Sequence, residues 1–162
     1  MKTIYLVRHA KSDWNASVDD FERPLNDRGK RDAPMMAMRM VDRKAKVDAF
    51  VSSPAKRALS TARAFADAYH RKKDDILSIS ELYMPPPDMF STVIEKLDDR
   101  DQQVAIFSHN NGITDFANSL GLVRIDNMPT CSIFALKIKT DKWKKFREAE
   151  KEFLFFDFPK KQ

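Results

Sequence analysis

The sequence predicts an α/β fold, a three-layer α/β/α sandwich around a mostly parallel central sheet. Three observations carry that expectation. Short apolar runs rich in β-branched and aromatic residues recur along the chain. Longer stretches with helical character and capping residues lie between them. The two kinds alternate, which is the pattern of strands joined by crossover helices. With 162 residues, the chain is expected to form one domain spanning 1–162.

Residues 3–7, TIYLV, read as a buried strand. Residues 11–28 are polar and irregular, with Pro24, and read as a long loop. Asn26 or Asp27 caps the next helix, which contains Pro34 and runs to about Val41. Residues 47–52, VDAFVS, read as the second strand. Ser53 and Pro54 then take the N-cap and first helical position of an Ala-rich helix over 55–70. Residues 76–80 form a short third strand. Pro85, Pro86 and Pro87 enforce an extended loop, and Asp88 caps a helix to Leu97. QVAIFS at 103–108 is the fourth strand, followed by HNNG and a helix from Ile113 to Leu120 that Gly121 closes. Residues 131–139 suggest a fifth strand, and Thr140 and Asp141 begin a turn. Residues 143–158 carry two signals: WKKF and FLFFDF look like strands, REAEKE like a helix. Phe153, Phe155, Phe156 and Phe158 are expected to pack on the sheet rather than form an interface.

Composition narrows the functional classes. Hydrophobic residues make up 43% and charged residues 33%, a globular balance. No apolar run approaches the roughly 18–20 residues of a membrane span. The opening MKTIYLVRHAKS turns charged too soon for a signal peptide. The one cysteine, Cys131, excludes an internal disulfide and a cysteine-built zinc site, and fits a reducing, cytoplasmic setting. Three histidines make a histidine-rich metal cluster unexpected. The net charge of +5 is uneven: residues 137–162 hold nine Lys/Arg against five Asp/Glu, and the first 136 hold 20 against 19. The tail reads as a solvated basic surface. No aromatic-rich motif accompanies it, so nucleic acid is not the expected partner.

In parallel sheets ligands bind beyond the carboxyl ends of the strands. Three strands end there in unusual polar residues: Arg8 and His9; Ser52, Ser53 and Pro54, with Arg57 one helical turn on; and Ser108, His109 and Asn110. If those strands are neighbours, two histidines and two arginines converge at one edge. Two guanidinium forks match a tetrahedral oxyanion. Helix N-termini at 54 and 111 would add N–H groups. A neutral histidine whose other nitrogen is held can attack phosphorus. The second histidine, if protonated, can bind the phosphoryl oxygens and stabilise the transferring charge. Such a site performs phosphoryl transfer with arginines where other enzymes use metal. His70, in YHRKKDD, reads instead as a helix-end residue complementing the dipole. Arg57 alone would be an ordinary surface arginine; the coincidence at three strand ends singles it out.

These residues also carry a resemblance. LVRHAKS at 6–12, SSPAKRALSTA at 52–62 and FSHNNGI at 107–113 resemble the Arg-His, Ser-Pro-x-x-Arg and second-histidine segments of the histidine phosphatase superfamily. RHAKSDW at 8–14, followed by DFERPLNDRGKRDAP at 20–34, resembles its SixA-type phosphohistidine phosphatase branch, and the likeness spans 3–158. The resemblance implies a phosphoglycerate-mutase-like fold and a metal-independent phosphatase without a cofactor. It implies His9 as the nucleophile that becomes a transient phosphohistidine. Arg8, Arg57 and His109 would complete the phosphate pocket, and Asn110 would add a backbone N–H or its side chain. Ser12 and Arg23 either line the mouth or are loop residues, the second being the default for such positions. The branch implies a phosphorylated protein as partner, such as a histidine-kinase phosphorelay component.

Two departures matter. Asn111 stands where many relatives have proline. Larger relatives place an acidic residue after the third strand; here ELYMPPPD offers Glu81 and Asp88, and Asp13 is a third candidate, none in a matching register. A phosphoramidate has a nitrogen leaving group that protonates easily, so a missing acid favours phosphohistidine over phosphoserine. The lack of a lid-forming insertion favours a protein substrate. The alternatives are a small-molecule phosphomonoesterase, a non-catalytic phosphate-binding module, and an adaptor acting through its basic tail.

Overall fold

Successive side chains of a strand point to opposite faces. In β1 (Lys2–Arg8), Ile4 and Leu6 therefore enter one apolar cluster while Tyr5 and Val7 enter another. β4 (Gln103–Ser108) splits the same way, Val104 and Ile106 against Ala105 and Phe107. Strands apolar on both faces must be covered twice. In the computed structural model, which describes residues 1–160, they are. The helices α1 (Asp27–Asp42) and α2 (Lys56–Ala68) cover one face through Met36, Met40 and Phe65. The helices α3 (Pro87–Glu95) and α4 (Gly112–Ser119) cover the other through Phe90, Ile94 and Phe116. This is the three-layer sandwich that the alternation predicts.

The remaining strands are β2 (Ala49–Ser52), β3 (Ile76–Ser78), β5 (Ile133–Ile138) and β6 (Lys151–Asp157). The sheet order is β3-β2-β4-β1-β5-β6. The first four strands run parallel; β5 is antiparallel to β1, and β6 to β5. Because β4 inserts between β1 and β2, the three strands with polar ends are immediate neighbours.

Several expected elements differ locally. α2 starts at Lys56 with Ala55 as its cap, so Ser53 is not the N-cap. It is engaged by a neighbouring strand's histidine instead. α3 begins at Pro87 with Pro86 as its cap. Proline suits the first helical position, where its missing N–H has no intrahelical role. Asp88 is therefore inside the first turn and pairs with Arg147 at 3.1 Å. Asn26 does cap α1, accepting from the Gly29 N–H at 2.9 Å.

In the ambiguous segment, Trp143–Lys145 is a 3-10 turn and Lys151–Asp157 is the edge strand β6. REAEKE forms no helix, being too short to nucleate one against strand pairing. The tail aromatics pack on the sheet: Phe153 and Phe156 on the α3/α4 face, Phe155 on the other, Phe158 against Phe156. A bulge opposite Ala135 and Leu136 leaves Leu154 as the extra, exposed residue. Arg39 and Arg43 clasp Asp157 at 3.2 and 3.7 Å, which fixes the strand's end. Some of the basic tail is thus structural: Arg147 bridges to Asp88, Thr92 and Glu95 on α3. Its last residues, Lys161 and Gln162, lie outside the described residues. Among those described, no helix is long and apolar enough to cross a membrane.

Candidate active site

The site begins where β1 ends. Arg8 is its last residue, and His9 follows as the backbone leaves the sheet, its N–H donating to the Ser108 carbonyl at 3.1 Å. Cys131, in the left-handed region at φ 61°, clamps the same turn with its N–H on the Arg8 and His9 carbonyls. His9 is buried, and its Nδ1 lies 2.7 Å from the Ala10 carbonyl oxygen. A carbonyl only accepts, so Nδ1 carries the proton and Nε2 keeps its lone pair. The Ala10 N–H donates to Thr61 Oγ1 at 2.9 Å, and the Thr61 hydroxyl donates to the Arg57 carbonyl at 2.8 Å. One threonine in α2 thereby ties the residue that orients His9 to the helix that carries Arg57.

His109 and Asn110 follow β4. The His109 ring centroid is 5.3 Å from that of His9, and its Nε2 lies 2.7 Å from Ser53 Oγ. Arg57 is 2% exposed in the first turn of α2. Arg8 reaches the Met128 carbonyl at 2.8 Å. Asn110 is held through its side chain by Asn127 and Thr114. A cavity of about 250 Å³ opens between these groups, lined by Arg8, His9, Arg57, His109 and Asn110. All five site residues expected from the sequence therefore meet around one cavity. Arg8 Nε and Arg57 Nε are buried donors with no protein acceptor.

The loop between β1 and α1 forms the mouth. It is closed at its base by the Asn26 N–H on the Lys11 carbonyl (3.0 Å) and by a bridge between Ser12 and Leu25. Gly29 permits that closure, because a Cβ there would lie 2.1 Å from the Lys11 oxygen. Ser12 and Arg23, two sequence candidates, both line the cavity, and Arg23 Nε donates to Ser12 Oγ at 3.0 Å. Arg23 is buried under the exposed ring of Trp14, which its guanidinium carbon approaches to 3.6 Å.

Asp20 is the carboxylate at the cavity, and sequence reasoning missed it. It accepts from Tyr83 Oη at 2.6 Å, Arg23 Nη1 at 2.7 Å and Arg57 Nη2 at 3.1 Å, while its carbonyl accepts from Arg57 Nη1 at 2.6 Å. These bonds, Tyr83's foremost, hold its carboxyl well below the usual range, so it stays ionised. The three candidate acids lie elsewhere. Glu81 faces a groove between β3 and α3, Asp88 pairs with Arg147, and Asp13 closes a turn onto the Asn15 N–H.

Burial lowers both site histidines to about 3; the charge of Arg57 adds to this at each, and His9 adds further at His109. The Ala10 hydrogen bond opposes the shift at His9 without reversing it. Both rings are thus neutral at rest. A proton on His109 would add charge to a buried pocket that already holds two arginines. Thr61, Tyr83 and Met84 join Asp20 and Trp14 as residues that the sequence reading left without a role, and Ser53, expected as a helix cap, bonds His109 instead. Thr61 had a signal, since it lies four residues after Arg57, on the same helix face. Among the described residues, no group of three His, Cys, Asp or Glu side chains is placed to hold a metal ion.

Comparison with known proteins agrees with this architecture. Residues 4–82 match the histidine phosphatase superfamily (branch 1). The SixA protein of Agrobacterium tumefaciens is 25% identical, with 98% of this chain and 99% of that one covered at a TM-score of 0.79. A protein histidine phosphatase SixA complexed with tungstate is 18% identical, with 97% of both chains covered and a TM-score of 0.80. A mycobacterial glucosyl-3-phosphoglycerate phosphatase in complex with inorganic phosphate is 12% identical, with 96% of each chain covered and a TM-score of 0.66. No curated protein matches the sequence.

Proposed function

We propose that this chain, whose residues 4–82 match the histidine phosphatase superfamily, is a protein phosphatase that hydrolyses phosphohistidine through a phosphoryl-His9 intermediate. One observation carries the choice of substrate: a nucleophile with its lone pair free lines the same cavity as a carboxylate that is held ionised. A site that cannot supply a proton from a carboxyl suits a leaving group that needs little help. A histidine nitrogen is such a group, and a serine alkoxide is not. The likeness to SixA proteins supports the same reading.

In this mechanism Arg8 and Arg57 hold the phosphoryl oxygens, and the neutral His109 ring packs beside them. His9 Nε2 attacks phosphorus as the substrate's P–N bond breaks, and the bond pair goes to the departing imidazole nitrogen, which takes a proton from solvent. The Ala10 carbonyl, already bonded to Nδ1–H, stabilises the positive charge of the phosphorylated ring. Water then attacks phosphorus, the P–Nε2 bond breaks toward His9, and inorganic phosphate leaves with the water's oxygen. The partner is accordingly a phosphorylated protein, such as a phosphorelay component.

Phosphate release from a phosphohistidine peptide and a matched phosphoserine peptide tests the reading, with chelator present throughout. Release from phosphohistidine alone, lost in His9→Ala, is expected. Turnover surviving in His9→Ala, or failing with chelator, overturns the mechanism. Release confined to sugar or nucleotide phosphates makes the enzyme a small-molecule phosphomonoesterase. Phosphate binding without turnover of any substrate makes it a binding module.

A further inference from the structure

The mouth of the cavity carries side chains that the mechanism above does not use. Trp14 is 73% exposed and Met84 is 54% exposed, yet both line the cavity whose floor is Arg8, His9 and Arg57. Large exposed apolar side chains grouped at a pocket mark a contact surface. Trp14 is not held by a hydrophobic core. The buried guanidinium of Arg23 supports one face of its ring, and Ser12 and Asp20 fix that guanidinium in turn. The indole is thus a platform with a fixed support. Met84 has a left-handed backbone, φ 48°, which is uncommon for a residue other than glycine. Its sulfur lies 3.8 Å from Arg57 Nη2, so its side chain reaches the phosphate-facing guanidinium.

We infer that Trp14 and Met84 form an apolar collar that seats a flat aromatic ring attached to the phosphoryl group, and that they select ring-borne phosphoryl groups over others. The inference rests on the proposed phosphatase reading of the pocket and names the chemistry of what the pocket accepts. A phosphoryl group on the arginines leaves its substituent among the residues that line the way out, which include the indole and the thioether. An indole backed by a cation offers stacking to a planar ring, and a thioether offers a sulfur–aromatic contact. A phosphoserine methylene or a bare amine can use neither. Phosphohistidine and aryl phosphates share the chemistry required; the substrates in the test separate them.

The test compares binding with turnover. Phenylphosphonate and methylphosphonate, which resist hydrolysis, are titrated calorimetrically into wild type, Trp14→Ala, Trp14→Phe and Met84→Ala. Wild type is expected to bind the phenyl compound about tenfold more tightly, the scale of loss when an aromatic stacking partner is truncated. The preference should fall within about twofold in Trp14→Ala, return in Trp14→Phe and weaken in Met84→Ala. In parallel, Trp14→Ala should lose about tenfold in kcat/KM on a phosphohistidine peptide and keep its rate on phosphoramidate, which has a P–N bond but no ring. Activity on phenyl phosphate as well extends the collar's range to aryl groups. A phenyl preference unchanged in Trp14→Ala, or equal losses on ringed and ringless compounds, overturns the collar. If phosphohistidine is still turned over in that case, the phosphatase reading stands without it. If wild type turns over nothing but its phenyl preference depends on Trp14, the phosphatase reading falls and the collar stands.

Discussion

Thr61→Val separates holding the nucleophile from being the nucleophile. Valine nearly matches threonine in shape, so the substitution opens no large cavity; it removes one hydroxyl at a site with 0% exposure. The hydroxyl accepts from the Ala10 N–H at 2.9 Å and donates to a helix carbonyl. The carbonyl keeps its helical role, but the Ala10 N–H is left buried without an acceptor. An orphaned buried donor costs about 1–3 kcal/mol. Taking about 2 kcal/mol, at roughly 2–4 °C per kcal/mol for a chain of this size, Tm should fall by about 4–8 °C. The catalytic effect is separate. The Ala10 carbonyl fixes the His9 tautomer and ring angle, and Thr61 anchors that residue from the other side of its backbone. Small displacements of a nucleophile cost rate steeply, so kcat should fall about tenfold with KM little changed, since Arg8 and Arg57 still bind phosphate. Thr61→Ser, which keeps the hydroxyl, should recover most of kcat. Thermal melts and initial rates on a phosphohistidine peptide measure both. Wild-type kcat in Thr61→Val, or a loss that appears in KM alone, refutes the positioning argument.

Two further outcomes follow from the electrostatics. Both site histidines are lowered to about 3, against roughly 6.5 in an unfolded chain. Between those values the unfolded state binds more protons, so stability should fall as pH drops through that window and hold above it; urea midpoints at pH 7 and 4.5 should differ, and equal midpoints refute the neutral pair. Asp20→Asn keeps the side chain's shape but removes the charge that competes with an incoming anion for Arg57 and Arg23. It should tighten tungstate binding several-fold by calorimetry, the pair's partial exposure keeping the gain modest. Weaker binding would mean that Asp20 chiefly holds those arginines in place.

The sheet was legible because its strands are apolar in a way that only a two-faced layer explains, and the site because three consecutive neighbours in that sheet end in charged or hydroxyl residues. Locally, Asn26 announced its helix, but Ser53 and Asp88 did not behave as caps. Sequence pattern cannot distinguish a hydroxyl that caps its own helix from one claimed by His109, a residue 56 positions away. Asp20 was invisible for a related reason. It sits in a loop without periodicity, and its meaning comes from Arg57, 37 positions on, and Tyr83, 63 positions on. The family resemblance points to the loop after the third strand for an acid. Of that loop, Tyr83 and Met84 reach the site, and neither is a carboxylate.

Asp20 also explains how so much positive charge can be buried at rest. Arg8, Arg57 and Arg23 converge on a small cavity, and burial already lowers the proton affinity of Arg8. Two protonated histidines would worsen the imbalance, so the pocket keeps them neutral, and that neutrality leaves His9 nucleophilic. One carboxylate on a loop offsets part of the remaining charge while bonded to Arg57. A dianionic phosphoryl group brings more negative charge to the same guanidinium and has stronger claims on it than a partly exposed aspartate. Ligand entry therefore exchanges one anion for another, and the arginines need not be desolvated anew. The residue that makes the resting site tolerable is, for the same reason, a poor proton donor. On the proposed reading, such a site works best on a phosphoryl group whose leaving atom can be protonated from solvent, as a histidine nitrogen can.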